Sequence, residues 1–272
     1  MSKATASKAG SNGTEPDKRL PIASLIKSLR VLEQLAMAGD SCSVADLIER
    51  SGLGRTTVQR VLRTLHAEDY VERTARGEYA IAPRGYVLGV MLSKSNHLAV
   101  AAAPVLRELQ EKSDEAVHLG VLDGADTVSI LHFGSGRMLS FTFPVGARIP
   151  AYASTLGRAI LAYMPREAAL ELLKQGDRGA LTKATLTSIK DISAELDLTR
   201  ERGYSLASGE VELGVAAVAA PVLGPNGEAI AAINVVVPTV HLDDRGGFDR
   251  VIPDLLEAAR EISRRVGWTD SA

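Results

Sequence analysis

The chain has 272 residues, of which 46% are apolar, 24% charged and 4% aromatic, the composition of a globular protein with room for one large or two modest domains. Cys42 is the only cysteine, which excludes an intramolecular disulfide and a cysteine-rich metal site. No apolar run approaches the roughly 18 residues of a membrane helix, and the first twenty residues lack the apolar core of a signal peptide, so we expect a cytoplasmic protein without membrane contact.

Charge is distributed unevenly along the chain, although the formal net charge is only −2. Residues 1–95 carry 14 Lys and Arg against 10 Asp and Glu, whereas residues 96–272 carry 17 against 23. A basic N-terminal part joined to an acidic remainder is typical of a DNA-binding head attached to a separate body.

The first 19 residues are rich in Ser, Ala, Lys and Gly and show no apolar period, which predicts a disordered arm. Such an arm is either an inert tail or a basic segment that touches DNA.

A helix is predicted from Ile22, with an apolar face formed by Leu25, Leu29, Leu32 and Ala36. Gly39 ends this helix. Ser43 then suits the N-cap of a second, short helix that contains Val44, Leu47 and Ile48.

A third helix is predicted over Arg55–Glu68, after the break at Gly52-Leu53-Gly54. Its apolar stripe consists of Val58, Val61, Leu62 and Leu65. At 100° per residue the opposite face carries Thr56, Arg60 and Arg63, with Gln59 at its edge. Two strand-like runs follow, Tyr70–Arg73 and Glu78–Ile81, and Ala75-Arg76-Gly77 between them predicts a small hairpin.

Three short helices followed by a hairpin are typical of a winged helix-turn-helix, here residues 20–85. The third helix of such a head enters the major groove, where Arg pairs with guanine, Gln with adenine, and Thr with a base or a phosphate. Arg76 at the hairpin tip would meet the minor groove or a phosphate. We therefore expect operator DNA to be contacted by Arg55, Thr56, Thr57, Gln59, Arg60, Arg63 and Arg76. The alternative is that they form only the solvated face of an amphipathic helix.

Residues 86–96 predict a connecting helix, and residues 97–272 predict a larger α+β domain around an antiparallel sheet. Ser154 is the expected cap of a helix that runs to Tyr163. Other helices are expected over His97–Lys112, Arg166–Gln175, Ile189–Arg202 and Phe248–Val266. The expected strands are Val117–Leu122, Thr127–Phe133, Ser140–Phe143, Tyr204–Ser208, Val215–Leu223 and Glu228–Val237.

Several segments resemble the IclR-type transcription regulators, in order from about residue 24 to 265. In the head they are Ser28–Leu32, Gly52–Leu62 and Asp69–Val71. In the body they are Pro150–Ala162, Arg202–Tyr204, Glu210 with Gly214–Val222, and Ala231–Val235. The resemblance implies a GAF-like effector-binding domain and a homodimer or homotetramer that binds palindromic operators near catabolic genes.

One branch of this family, which regulates the breakdown of aromatic acids such as protocatechuate and 4-hydroxybenzoate, is similar over Arg148–Ser154 and at Arg158. Ala207-Ser208-Gly209 departs from the acidic stretch common in that branch. The expected effector is therefore an aromatic carboxylate, with a small aliphatic acid or a non-acid aromatic as the alternative.

The resemblance also implies an effector pocket formed by Met138, Phe141, Ile149, Thr155, Leu156, Ala207, Val215, Ala217, Asn234 and Val236. Asn234 is a lone polar side chain in an apolar strand, so a ligand could satisfy its amide, unless neighbouring backbone does so. Ser154 and Thr155 open a helix, where an anion would be favoured, unless Ser154 is an ordinary cap. The apolar members suit an aromatic ring or are plain core packing.

Other charged and imidazole groups leave alternatives open. Arg137 and Arg148 either pair with a ligand carboxylate or are exposed, and His118 and His132 either face the pocket or pair with each other. No third candidate metal ligand is evident beside the two histidines, so we expect no metal site. Since no catalytic motif or phosphate loop occurs, we expect neither enzyme activity nor a cofactor. A remote alternative is an interaction module that has lost DNA binding.

Overall fold

The computed structural model describes residues 21–137, 141, 143–243 and 247–269. The predicted arm over residues 1–19 and the effector-pocket candidate Met138 lie outside these ranges. The chain forms two compact units that divide between Leu88 and Gly89. Among the described residues, no helix combines the length and the apolar character needed to cross a membrane.

The N-terminal unit contains three helices and a two-stranded hairpin, as the pattern predicts. The elements are α1 (Ala23–Met37), α2 (Val44–Ser51), α3 (Arg55–Ala67), β1 (Val71–Arg73), β2 (Tyr79–Ile81) and the first half of α4 (Pro83–Ser95). Ser43 caps α2, because its Oγ accepts the backbone N–H of Asp46 at 3.2 Å. Gly52 ends α2 with φ of +66°, which a residue with a side chain rarely adopts.

The core of this unit lies between α1, α2 and α3, and the face predicted for α1 is wrong for three of its four residues. Val31 and Leu35 of α1 pack into the core against α2 and α3, and the predicted Leu32 packs beside them. Leu25 and Leu29 are 53% and 49% exposed, and Ala36 is exposed as well. Helix α1 has two apolar stripes, and periodicity alone does not tell which of them faces α2 and α3.

The C-terminal unit is built on a six-stranded sheet in the order β5-β4-β3-β8-β7-β6, with all neighbours antiparallel. Its strands are β3 (Ala116–Asp123), β4 (Asp126–Phe133), β5 (Arg148–Pro150), β6 (Ser205–Ser208), β7 (Val215–Leu223) and β8 (Ala229–Pro238). Its helices, besides the end of α4, are α5 (His97–Ser113), α6 (Thr155–Leu161), α7 (Arg166–Gln175), α8 (Ile189–Arg202), α9 (Thr239–Asp243) and α10 (Ile252–Arg265).

Alternation along the strands assigns the two faces of the sheet. On β3, Val117 and Leu119 point to the face covered by α5 and α10, where they join the largest apolar cluster. His118 and Gly120 therefore point to the opposite face, which α6 covers. Gly157 allows α6 to lie close to the preceding segment, because a Cβ there would be 2.3 Å from the backbone oxygen of Ala151.

Two predictions for the C-terminal unit are wrong. Phe141 and Phe143 lie outside any strand; the edge of β4 pairs instead with β5 over Asp126–Val128, which the alternation pattern did not reveal. The expected helix Phe248–Val266 is divided into a 3-10 turn, Gly247–Arg250, and α10. Pro253 accounts for the later start of α10, because a residue without an N–H fits only the first turn of a helix.

Candidate functional site

The predicted DNA-contact residues lie on α3 and, for Arg76, on the hairpin of the N-terminal unit. Arg55, Thr56, Gln59, Arg60 and Arg63 are exposed on α3, and Thr57 is half-buried. The apolar stripe of the same helix, Val58, Val61 and Leu62, is buried. Helix α3 therefore has the two opposite faces that a helix in a DNA groove needs.

Arg76 lies between β1 and β2, in the turn that Gly77 closes. Gly77 has φ of +81°, and its N–H donates to the backbone oxygen of Thr74 at 2.9 Å. The hairpin is attached to the rest of the unit by two hydrogen bonds between the backbones of Cys42 and Tyr79, of 2.9 and 3.0 Å. Arg76 is exposed at its tip. The hairpin thus has the position and the charge of a wing.

A pocket in the C-terminal unit lies on the α6 side of the sheet, and we call it the sheet-face pocket. The pocket has a cavity volume of about 50 Å³, within a space of about 610 Å³ between its walls that includes open solvent. Nine of the ten predicted effector residues line it, and the tenth, Met138, is outside the described residues. The nine are Phe141, Ile149, Thr155, Leu156, Ala207, Val215, Ala217, Asn234 and Val236.

The pocket combines an apolar and aromatic wall with a few polar groups. Phe141 and Phe143 meet edge to face, with ring centroids 5.1 Å apart. The buried hydroxyls of Thr127 and Ser129 also line the pocket and have no hydrogen-bond partner among the described residues. A buried hydroxyl without a hydrogen-bond partner costs free energy, so we expect a bound ligand or water to supply a partner to both hydroxyls.

His118 is a buried imidazole in the lining of the pocket. Its Nδ1 lies 3.1 Å from Asn234 Oδ1, and its Nε2 accepts the backbone N–H of Phe143 at 3.2 Å. The pKa of His118 is lowered from 6.5 to about 4, mainly by burial; the hydrogen bond to Asn234 opposes this shift, and nearby His132 adds to it. The imidazole is therefore neutral at pH 7. The amide oxygen of Asn234 is bonded to a side chain, not to neighbouring backbone.

His118 and His132 pair with each other, which was one of the two alternatives for these residues. They are cross-strand neighbours on β3 and β4, and their rings stack at 5.8 Å with 15° between the planes. The other alternative, that the two histidines face the pocket, is confirmed for His118 only, because His132 does not line the sheet-face pocket. Within the described part of the chain, no three His, Cys, Asp or Glu side chains are grouped to hold a metal ion.

Arg158 and Glu210 form a buried ion pair beside the pocket. Arg158 is 0% exposed, its Nε donates to the backbone oxygen of Tyr152 at 2.8 Å, and its Nη1 donates to Glu210 Oε1 at 3.0 Å. A second bond joins its Nη2 to Glu210 Oε2. Glu210 also lines the pocket, where its negative charge is neutralised by Arg158.

The two arginines suggested as carboxylate partners are bound elsewhere. Arg148 pairs with Asp123 and Asp126 at 2.6 and 3.2 Å, and these contacts raise its pKa. Arg137 pairs with Asp114 at 2.9 Å. Neither residue lines the sheet-face pocket, and no Lys or Arg among the described residues does so. A ligand carboxylate in this pocket would therefore be held by neutral donors.

Three polar residues of the pocket, Thr127, Ser129 and Glu210, are not among those predicted from the sequence, and for His118 the sequence leaves two alternatives open. The alternation within β3 and β4 places His118, Thr127 and Ser129 on one face, a signal that could have found them. Ser154 acts as an ordinary cap, since its Oγ accepts the N–H of Gly157 at 3.4 Å. Helix α6 has only seven residues.

Comparisons with known proteins match both units to domains of one family. The C-terminal domain of bacterial IclR transcriptional regulators matches residues 91–264, and the IclR helix-turn-helix domain matches residues 24–75. The transcriptional repressor IclR of Escherichia coli K12 is 31% identical over 90% of each chain. The Pca regulon regulatory protein of Pseudomonas putida is 28% identical over 89% of this chain and 84% of its own.

The fold is shared with a solved structure. An IclR homolog from Microbacterium hydrocarbonoxydans, solved in complex with 4-hydroxybenzoate, superimposes with a TM-score of 0.78 at 24% identity. The alignment covers 90% of this chain and 99% of that one. The helix-turn-helix head, the antiparallel sheet with its helices and the two domain matches lead to one conclusion: the chain belongs to the IclR family of DNA-binding transcriptional regulators.

Proposed function

We propose that a small organic acid bound in the sheet-face pocket controls the operator affinity of this regulator. The observation that carries the proposal is the unsatisfied polar set of the pocket. The hydroxyls of Thr127 and Ser129 and the amide of Asn234 are buried together, and the two hydroxyls have no partner among the described residues. Buried polar groups without partners, beside apolar and aromatic walls, are typical of a ligand site.

An aromatic carboxylate is the effector that the walls favour. Phe141 and Phe143 contribute two aromatic rings to the lining, and Ile149, Leu156 and Val236 add apolar surface. The Pca regulon relative and the neighbour that binds 4-hydroxybenzoate support this class. A small aliphatic acid is the alternative, because the same polar groups would hold its carboxylate without using the aromatic wall.

Isothermal titration calorimetry of the purified protein separates these ligands. We expect 4-hydroxybenzoate or protocatechuate to bind and Asn234→Leu to weaken that binding about tenfold or more, the loss of one hydrogen bond to a charged group. Binding of pyruvate or glyoxylate but of no aromatic acid would contradict the aromatic class. Arg166→Ala is the matched control, since Arg166 is exposed and pairs with Asp197, away from the pocket.

The DNA contacts are proposed for the exposed face of α3 and for the hairpin tip: Arg55, Thr56, Thr57, Gln59, Arg60, Arg63 and Arg76. Guanidinium groups on one helix face can both pair with guanine edges and neutralise phosphates. A head of this kind reads one half-site, so a palindromic operator requires two heads.

A homodimer or homotetramer would supply the second head, and exposed apolar stripes support it. On α1 the stripe is Ile22, Leu25, Ile26 and Leu29, counting the residue just before the helix. On α4 it is Tyr86, Val87, Val90, Met91 and Leu92. Contiguous exposed apolar side chains of this kind are typical of protein contact surfaces. Effector binding would then change operator affinity by altering the spacing of two heads.

A further inference from the structure

His118 occupies the centre of the sheet, with a partner on each side. It is the register neighbour of Asn234 on β8 and of His132 on β4, and it is 1% exposed. Its two ring nitrogens are both engaged, one with a side chain and one with backbone. His118 therefore connects the sheet to the segment that carries the aromatic wall of the sheet-face pocket.

The hydrogen bonds of the ring fix its tautomer. A backbone N–H can only donate, so the N–H of Phe143 requires a lone pair on Nε2. The proton of the neutral ring then lies on Nδ1, which donates to Asn234 Oδ1. The reverse tautomer would set two N–H groups against each other at Nε2.

The same bond fixes the orientation of the Asn234 amide. With the Nδ1 proton facing it, the amide must present its oxygen, since a flipped amide would oppose two donors. Asn234 Nδ2 is left without a hydrogen-bond acceptor among the described residues, and Asn234 lines the pocket. The group offered to a ligand is thus an N–H donor and not an oxygen.

The other nitrogen of His118 holds the aromatic wall. Phe143 is attached by its backbone N–H, and its ring lies edge-on to the imidazole at 6.0 Å. The ring of Phe141 in turn packs against Phe143. One neutral imidazole therefore sets both the polar and the aromatic side of the pocket.

We propose that His118 is the positioning residue of the sheet-face pocket, which turns the amide N–H of Asn234 toward a ligand oxygen and holds Phe143 against the ring that carries it. The proposal rests on the proposed function, because it takes this pocket as the effector site. The ligand class that follows carries both an oxygen acceptor, a carboxylate or carbonyl, and an aromatic ring.

Two substitutions separate the two tasks of His118. In His118→Asn the amide nitrogen takes the place of Nδ1, so the donor to Asn234 is kept and the acceptor for Phe143 is lost. In His118→Gln the amide oxygen reaches the place of Nε2, so Phe143 is kept and Asn234 is released. His132→Gln is the control, because His132 stacks on His118 and does not line the pocket.

Calorimetry of the full-length variants with 4-hydroxybenzoate and with pyruvate tests the ligand side. We expect His118→Gln to weaken both acids about tenfold or more. We expect His118→Asn to weaken 4-hydroxybenzoate about tenfold but pyruvate by less than about threefold, since only the larger acid needs the aromatic wall. Equal affinities of wild type and both variants would overturn the proposal. Circular dichroism at each pH and temperature used confirms that the variants are folded.

A measurement without ligand keeps the proposal testable if the variants fail to fold. Nitrogen-15 NMR of the histidine rings in the wild-type protein should show His118 protonated on Nδ1 and unprotonated on Nε2 at pH 7. A proton on Nε2 would overturn the proposal. If neither acid binds the wild type, the proposed effector class fails, whereas the ring tautomer still decides whether His118 orients Asn234.

Discussion

Arg158 binds both carboxylate oxygens of Glu210, 52 residues further along the chain, from a position with no exposure to solvent. Glu210 Oε2 also accepts the backbone N–H of Leu186 at 3.3 Å. The pair therefore joins α6 to two loops at the side of the sheet-face pocket. The two charges are buried and paired with each other, so removing one of them leaves the other buried without a counter-charge.

Glu210→Ala should lower the free energy of unfolding by about 3–5 kcal/mol, because it leaves the Arg158 guanidinium buried without a counter-charge. Denaturant titration followed by circular dichroism measures this loss. Arg148→Ala serves as the control and should cost less than about 1 kcal/mol, since its ion pairs are exposed. A similar small loss in both variants would mean that the buried pair does not stabilise the fold.

Arg60→Ala should weaken operator binding about tenfold or more and reduce the slope of log affinity against log salt by about one, because one phosphate or guanine contact is lost. Fluorescence anisotropy on an operator selected from random DNA measures both quantities. Arg166→Ala removes the same charge from an exposed site in the other unit and should leave both unchanged. An unaltered affinity in Arg60→Ala would remove α3 as the recognition helix.

Stability should fall as the pH is lowered from about 6.5 to about 4 because of His118. Its pKa is lowered to about 4 in the folded protein, whereas the unfolded chain takes up the proton near 6.5. Over that window the unfolded state binds more protons, so acid favours unfolding, by about 3 kcal/mol in total. Above pH 6.5 this contribution is fully present.

Comparing urea unfolding of the wild type and His118→Asn across this window isolates the effect from that of other groups. The wild type should lose about 3 kcal/mol more than the variant between pH 7 and pH 4. Parallel stability curves for the two proteins would contradict a neutral, buried His118.

Leu25→Glu and Met91→Glu should each shift the protein toward the monomer, because a buried charge in an apolar contact is costly. Light scattering after size exclusion measures the mass. Leu198→Glu is a matched control, since Leu198 is equally exposed but lies on α8, outside both stripes. A wild-type protein that is monomeric at the highest concentration tested would contradict the proposed assembly.

Much of the fold follows from short-range patterns. The caps at Ser43 and Ser154 and the amphipathic stripe of α3 mark their helices closely, because each depends on residues within one or two turns. The buried face of α1 does not follow, since Leu25 and Val31 are equally apolar and only tertiary packing selects between them. Phe141 and Phe143 alternate like a strand, yet the partner edge of β4 is taken by β5.

The pocket was predictable in its apolar part and less so in its polar part. Ile149 and Val236 are assigned by the family resemblance, and strand alternation agrees with it. The bonds of His118 to Asn234 and to the N–H of Phe143 depend on a cross-strand register and on a segment outside the sheet. Neither is encoded in a local period, so single-sequence reasoning does not reach them.

Control of DNA binding by the sheet-face pocket is tested most directly by operator affinity with and without a saturating acid that calorimetry has shown to bind. The dissociation constant for the operator should change about fivefold or more, in either direction, and this change should be lost in Asn234→Leu. An operator affinity that stays the same while the acid occupies the pocket would contradict control of DNA binding by the sheet-face pocket.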